Sequence, residues 1–181
     1  MPKIIVAFVD YDGILANIEK RLAAAWDAYS KSIPEELAFL RTKEYADTSE
    51  VYWRSLFRAD LLPLDAPIDG VKQALKTLET RVHHLILLTS KPDYLETASE
   101  QWLTAHGLAD LSRRLVLKPA DIRLATPLLK AIQKRAIADA YGATEIIDID
   151  DEQKNLDEAA KHFKSPRYRY QGYLNLQQAV A

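Results

Sequence analysis

The chain of 181 residues contains no cysteine. Disulfide frameworks, thiolate nucleophiles, iron–sulfur clusters and cysteine-ligated zinc are excluded together. Glycine is nearly as scarce, with only Gly13, Gly70, Gly107, Gly142 and Gly172, and no two of them share a loop. The phosphate-cradling P-loop, the dinucleotide glycine fingerprint and the serine nucleophile elbow are therefore missing. No apolar run approaches a membrane span, and the early one, Ile4 to Val9, stops at Asp10. It also lacks the basic flank and small-residue cleavage site of a signal peptide, so we expect a cytoplasmic protein with no membrane partner. The four histidines, His83, His84, His106 and His162, show no metal-ligand spacing. A surplus of positive charge is absent as well. The 24 basic side chains against 26 acidic ones leave a net charge of −2, which argues against a protein built mainly to neutralise a nucleic-acid backbone.

The composition that remains, 48% hydrophobic and 28% charged, is that of one globular domain over residues 1–181. Short apolar, β-branched runs recur at 3–9, 85–88, 115–117 and 146–149, with a last short strand expected near 168–170. Such runs read as strands buried on both faces. Helical patterns separate them. One follows Asp69, a candidate N-cap; Pro92 opens a second that Gly107 ends; Pro127 opens a third that Gly142 ends; a fourth begins near Glu152. Alternation of this kind predicts βαβ units in one parallel sheet flanked by helices. Residues 18–64 break the rhythm. They carry helical patterns and a set of aromatics, too long for a βα connection, and read as a small helical insertion after the first strand. Its aromatics are expected to form the insertion's own core.

In open α/β sheets ligands gather outside the carboxyl ends of the strands. Asp10 and Asp12 follow the first strand, Thr89, Ser90 and Lys91 the second, and Asp150 and Asp151 the fourth. Lys130 lies on the helix before that strand, with Lys134 and Lys118 as competitors for its place. Converging carboxylates need a cation, and oxygen ligands without cysteine or histidine suit Mg²⁺. One carboxylate can then attack phosphorus, and a second, two residues on, can serve as acid and base. A hydroxyl and a lysine can hold the phosphoryl oxygens. Asp148, on the same strand face as Asp150, is expected to make a buried hydrogen bond instead of joining the site.

These residues resemble the motifs of the haloacid dehalogenase-like (HAD) superfamily of phosphohydrolases. Asp10-Tyr-Asp12-Gly13 is similar to its first motif, Leu87-Leu88-Thr89 to the second, Lys130 to the third, and Ile149-Asp150-Asp151 with Asn155 to the fourth. Within it, Asp12 to Arg21, Thr89 to Tyr94, and Glu100 to Gly107 resemble the phosphatase domain of polynucleotide kinase-phosphatases and their stand-alone relatives. The resemblance implies a HAD-like Rossmannoid sheet with a cap, and Mg²⁺-dependent hydrolysis of a small phosphomonoester, with a nucleotide or polynucleotide-end phosphate among the substrates. It implies Asp10 as nucleophile, Asp12 as acid/base, and Thr89 (or Ser90), Lys91, Lys130 and Arg21 as phosphate or substrate ligands. Asp10, Asp12 through its carbonyl, Asp150 and Asp151 would hold the metal. Ile14 and Lys91 stand where that branch commonly has threonine and arginine. Two rivals belong to other classes: a catalytically idle binding protein on the same fold, and a signalling receiver domain. The second is disfavoured because here the second acidic pair comes last.

Overall fold

The computed structural model describes residues 3–181. Its centre is a five-stranded sheet of β1 (Ile5–Val9), β4 (His84–Pro92), β5 (Leu115–Lys118), β6 (Glu145–Ile149) and β7 (Arg169–Tyr173), in the order β5-β4-β1-β6-β7. Every pairing is parallel. Counted along the chain, the strands lie 3-2-1-4-5, the order of dinucleotide-fold sheets. Receiver domains lie 2-1-3-4-5, so the sheet excludes that rival.

Alternation along each strand builds two cores. Ala7, Val9, Leu85, Leu87, Ile147 and Ile149 face one side, where α4 (Val71–Glu79), α5 (Glu96–Ala105) and α8 (Leu176–Val180) pack through Leu75, Leu78, Trp102 and Leu103. Val6, Phe8, Ile86, Leu88 and Ile146 face the other, covered from α6 (Thr126–Ala140) and the end of α7 (Gln153–His162) by Ala138 and Phe163. Burial on both faces is why these strands read as unbroken apolar runs.

Local structure departs from the sequence signals at several points. Gly70, not Asp69, precedes α4, in the left-handed conformation and with no side-chain cap. β4 runs through Thr89, Ser90 and Lys91 to Pro92 with an irregular register, so these polar residues prolong a strand. The helix after Pro92 starts only at Glu96, beyond a 3₁₀ turn. Helix α8 gave no sequence signal.

Between the two-residue strands β2 (Ala16–Asn17) and β3 (Ala66–Pro67), which pair antiparallel, lies a helical segment. It contains α1 (Glu19–Ser32), α2 (Lys43–Thr48), α3 (Glu50–Leu56) and two 3₁₀ stretches. Ala25, Tyr29, Ala46, Tyr52 and Leu56 form its own apolar cluster, with Leu22 and Trp26 against it.

Candidate functional site

The site lies where the sheet changes direction, at the carboxyl ends of β1, β4 and β6. Asp10 continues β1 and its amide donates to the carbonyl of Ile149 at 2.8 Å, which ties the two acidic strand ends together. The carboxylate of Asp10 accepts from its neighbour, the Tyr11 amide, at 2.8 Å and from Lys130 Nζ at 2.7 Å. Lys130 reaches across from α6 and also donates to Asp150 Oδ2 at 2.8 Å. Lys134, one helical turn on, donates instead to Asp148 at 2.7 and 2.9 Å, and the Tyr170 hydroxyl donates to the same carboxylate. Lys134 thus hydrogen-bonds Asp148 in a buried network beneath the site, and its ammonium lies 3.8 Å from Asp150 Oδ2, the oxygen that Lys130 holds.

Asp150 is fixed twice more. Its Oδ1 accepts from Asn155 Nδ2 at 2.7 Å and from the Glu152 amide at 3.2 Å. The first turn of α7 is therefore held by Asp150, and Asp151 makes no cap. Asp151 lies on Gly13 instead. Gly13 has φ 76°, and a side-chain carbon there would collide with the Asp151 carboxylate.

Asp12 has a different environment. Its side chain is 22% exposed, and its Oδ1 accepts from Arg21 Nη2 at 2.6 Å and from Lys91 Nζ, whose ammonium also lies 3.6 Å from the centre of the Tyr11 ring. Arg21 and Lys91, expected as phosphate or substrate ligands, are 0% exposed, and in this structure each donates to Asp12. Ile14, where a hydroxyl was looked for, packs into the core. Thr89 is buried, and its hydroxyl oxygen accepts from the Lys91 amide at 3.2 Å; Ser90 lines the cleft.

Charge is distributed unevenly. Burial pushes the Asp10 carboxyl up to about 7; the charges of Asp150 and Asp12 push the same way, and Lys130 pulls back. At Asp12 burial also opposes ionisation, but Lys91 and Arg21 outweigh it and hold the carboxyl below the usual range. Burial works against the Lys130 charge too, yet Asp10 and Asp150 raise its pKa. Two carboxylates two residues apart are therefore driven in opposite directions: without a bound cation or substrate, Asp10 is the one that keeps a proton toward neutral pH and Asp12 the one held ionised.

Oxygen atoms of Asp10, Asp150 and Asp151 lie within 4.8 Å of one another. All are hard carboxylate donors with no nitrogen or sulfur among them, which fits Mg²⁺. Charge agrees: with all six carboxyls around the site ionised (Asp10, Asp12, Asp65, Asp148, Asp150, Asp151), the four cations (Arg21, Lys91, Lys130, Lys134) leave two negative charges for a divalent ion.

Known structures share this architecture. A HAD-superfamily hydrolase of subfamily IA, variant 1, from Geobacter sulfurreducens PCA superposes with a TM-score of 0.61 at 14% identity, over 99% of this chain and 97% of that one. The fold is haloacid dehalogenase-like. A haloacid dehalogenase-like family hydrolase from Streptococcus pneumoniae gives 0.63 at 14% identity over 92% and 83%. CbbY from Rhodobacter sphaeroides, solved in complex with phosphate, gives 0.59 at 14% over 94% and 86%. No protein-family model matches the sequence, and no curated protein matches it.

In this HAD-like arrangement the insertion stands over the carboxyl ends of the strands and encloses a cleft of about 1570 Å³ that reaches Asp10 and Asp12. The insertion's aromatics divide. Tyr29 and Tyr52 are in its core, but Trp53 and Phe57 stack on each other at 5.8 Å and line the cleft, with Trp53 40% exposed. Tyr94, just after β4, lines it from the sheet side and is 61% exposed. Asp65 carried no sequence signal of a role at the site, and Trp53 was expected in the insertion's core. Among the described residues no helix is long and apolar enough to cross a membrane.

Proposed function

We propose that the protein is a Mg²⁺-dependent phosphomonoester hydrolase that works through an aspartyl-phosphate on Asp10. The observation that carries this reading is the pairing of Asp10, in the carboxylate cluster with Asp150 and Asp151, with Asp12, an acid outside that cluster fixed by Arg21 and Lys91. An Asp10 carboxylate oxygen attacks phosphorus, and the bond from phosphorus to the ester oxygen breaks. The leaving oxygen takes its proton from Asp12, whose Oδ2 takes one up when the phosphate dianion binds beside it and disfavours a second negative charge there. Water then attacks the phosphorus, gives a proton to Asp12 and releases phosphate, which restores the Asp10 carboxylate. Lys130 and the hydroxyls of Thr89 and Ser90 compensate charge on the phosphoryl oxygens. Asp10, Asp150, Asp151 and the Asp12 carbonyl would hold Mg²⁺, which supplies charge neutralisation at the carboxylates and the phosphoryl group.

The substrate we assign is a nucleotide. Away from the acidic cluster six cations line the cleft against three acids, although the chain as a whole is negative. Lys43, Lys118 and Arg123 among them have no ion-pair partner among the described residues. Aromatic faces at Trp53, Phe57 and Tyr94 provide stacking surface for a base, and such stacking contributes about 1–3 kcal/mol per base.

The test is turnover of a panel of nucleotides, sugar phosphates and an aryl phosphate, with Mg²⁺ and with chelator. Activity is expected only with the metal, and highest on nucleotides. Asp10→Asn should abolish turnover and the phosphoenzyme. Asp12→Asn, given an aryl phosphate, should accumulate one phosphoryl group that mass spectrometry maps to Asp10. Phosphate on any other residue, or full activity in chelator, would overturn the mechanism.

A further inference from the structure

Asp12 has two carboxylate oxygens, and the protein treats them differently. Oδ1 accepts from both Arg21 and Lys91, whereas Oδ2 takes no hydrogen bond among the described residues. The side chain is partly exposed toward the cleft, so Oδ2 is the oxygen left to exchange protons with a bound ester or with water. Arg21 and Lys91 fix this division together, and Arg21 is itself held from elsewhere. Its Nε donates to Asp65 Oδ1 at 3.0 Å, and both side chains are wholly buried. Asp65 is the last residue of the insertion before β3, and its carbonyl accepts from Trp102 Nε1 on α5 at 3.0 Å. Trp102 packs on Tyr11, with ring centres 5.1 Å apart, beside Asp12 in the chain. Arg21 belongs to the first turns of α1, just after the chain enters the insertion.

A closed path therefore runs from the sheet core through Trp102, Asp65 and Arg21 to Asp12, and it joins the two points where the chain enters and leaves the insertion. We propose that Asp65 and Arg21 are a positioning pair for the acid/base step: they hold Asp12 Oδ1 so that Oδ2 alone carries the proton, and they make the attachment of the insertion part of the catalytic apparatus. Neither residue touches substrate. A guanidinium suits this task, because its planar fork donates to two carboxylates in fixed directions, which a lysine ammonium does not.

This inference rests on the reading of Asp12 as general acid/base, and the test separates the two. Turnover is measured on aryl phosphates of one shape and graded leaving-group acidity, from p-nitrophenyl to phenyl phosphate. A nitrophenolate leaves with little help from an acid, and a phenolate needs more. Misplacing Asp12 should therefore slow phenyl phosphate preferentially. We expect Asp65→Asn and Arg21→Lys to lower kcat/KM, which reports phosphoenzyme formation and not its hydrolysis, about 30-fold on phenyl phosphate and about threefold on p-nitrophenyl phosphate, because general acid catalysis commonly contributes 10²–10⁴ and misplacement forfeits part of it. The same variants should accumulate phosphoenzyme on p-nitrophenyl phosphate, since water attack needs the same group as base. Thermal melts identify any variant that does not fold; the isosteric Asp65→Asn and the charge-conserving Arg21→Lys alter different partners. Equal losses along the series, or no loss, would overturn the positioning role. Equal losses of kcat/KM along the series for Asp12→Asn itself would instead remove the acid/base assignment on which the proposal stands.

Discussion

Asp10 holds its proton well into the neutral range because it is buried and shares its surroundings with Asp150 and Asp12. A cation can bind only the ionised carboxylate, so binding must displace that proton. Raising the pH through about 7 removes the competition and strengthens binding; lowering it restores the competition. With one proton at stake, Mg²⁺ affinity should be about tenfold weaker at pH 6 than at pH 8. Isothermal titration in buffers of different ionisation heat would show both the change and the released proton. An affinity independent of pH would place the metal away from Asp10. Gly13 yields a second prediction at this scale. Its φ of 76° and the Asp151 carboxylate lying where a side chain would go make Gly13→Ala costly twice over. The left-handed conformation costs about 1–2 kcal/mol for an L residue, and Asp151 must move. Mg²⁺ affinity is therefore expected to fall in Gly13→Ala by more than the loss in melting temperature accounts for.

At the scale of elements, the strands were legible and several connections were not. β1, β4 and β6 were legible because burial on both faces leaves a local apolar signature, as in Leu85–Leu88 and in Ile146-Ile147; β5, a half-buried edge strand, was legible from Leu115–Leu117. The acidic residues after them followed, since a strand end names its neighbours in the chain. The roles of Arg21 and Lys91 were not legible: what each cation meets depends on Asp12, 9 and 79 positions away, and on Asp65, 44 positions from Arg21. No local pattern encodes such partners. Strands β2 and β3 are two residues each, too short for any periodicity. The insertion's aromatics were read as one core, whereas only some lie in it; helical spacing places Tyr52 and Trp53 on different faces of α3, and the structure buries the first and exposes the second. The insertion core has a measurable consequence. Tyr29 is nearly fully buried in it and donates to the Leu40 carbonyl at 3.1 Å. Tyr29→Ala should cost about 3–5 kcal/mol, and because the cluster is separate from both sheet cores, the loss should be local. Hydrogen exchange is expected to accelerate in α1 to α3 while β1, β4 and β6 keep their protection. Uniform acceleration would mean that the two parts unfold together.

For the molecule as a whole, the insertion begins and ends at a single point. Residues 18–65 enter from Asn17 and return at Ala66, which pair directly across β2 and β3. Paired strands are only about 5 Å apart, so to the sheet this whole stretch amounts to the tip of one hairpin. Lengthening a closed loop raises its entropic cost only logarithmically. The parallel sheet can therefore carry a large segment there, a small one, or a bare turn, at similar cost to its own folding. Replacing 18–65 with an Asn-Gly turn, which suits a two-residue hairpin, should leave a chain that still folds cooperatively with its strand content intact by circular dichroism. Such a chain would keep Asp10, Lys130 and Asp150 in register and lose Arg21, Asp65 and the aromatic wall. In hereditary terms the hairpin is a splice point. The helical segment that walls the cleft can be exchanged at one place, and the strands that gather the carboxylates need not change with it.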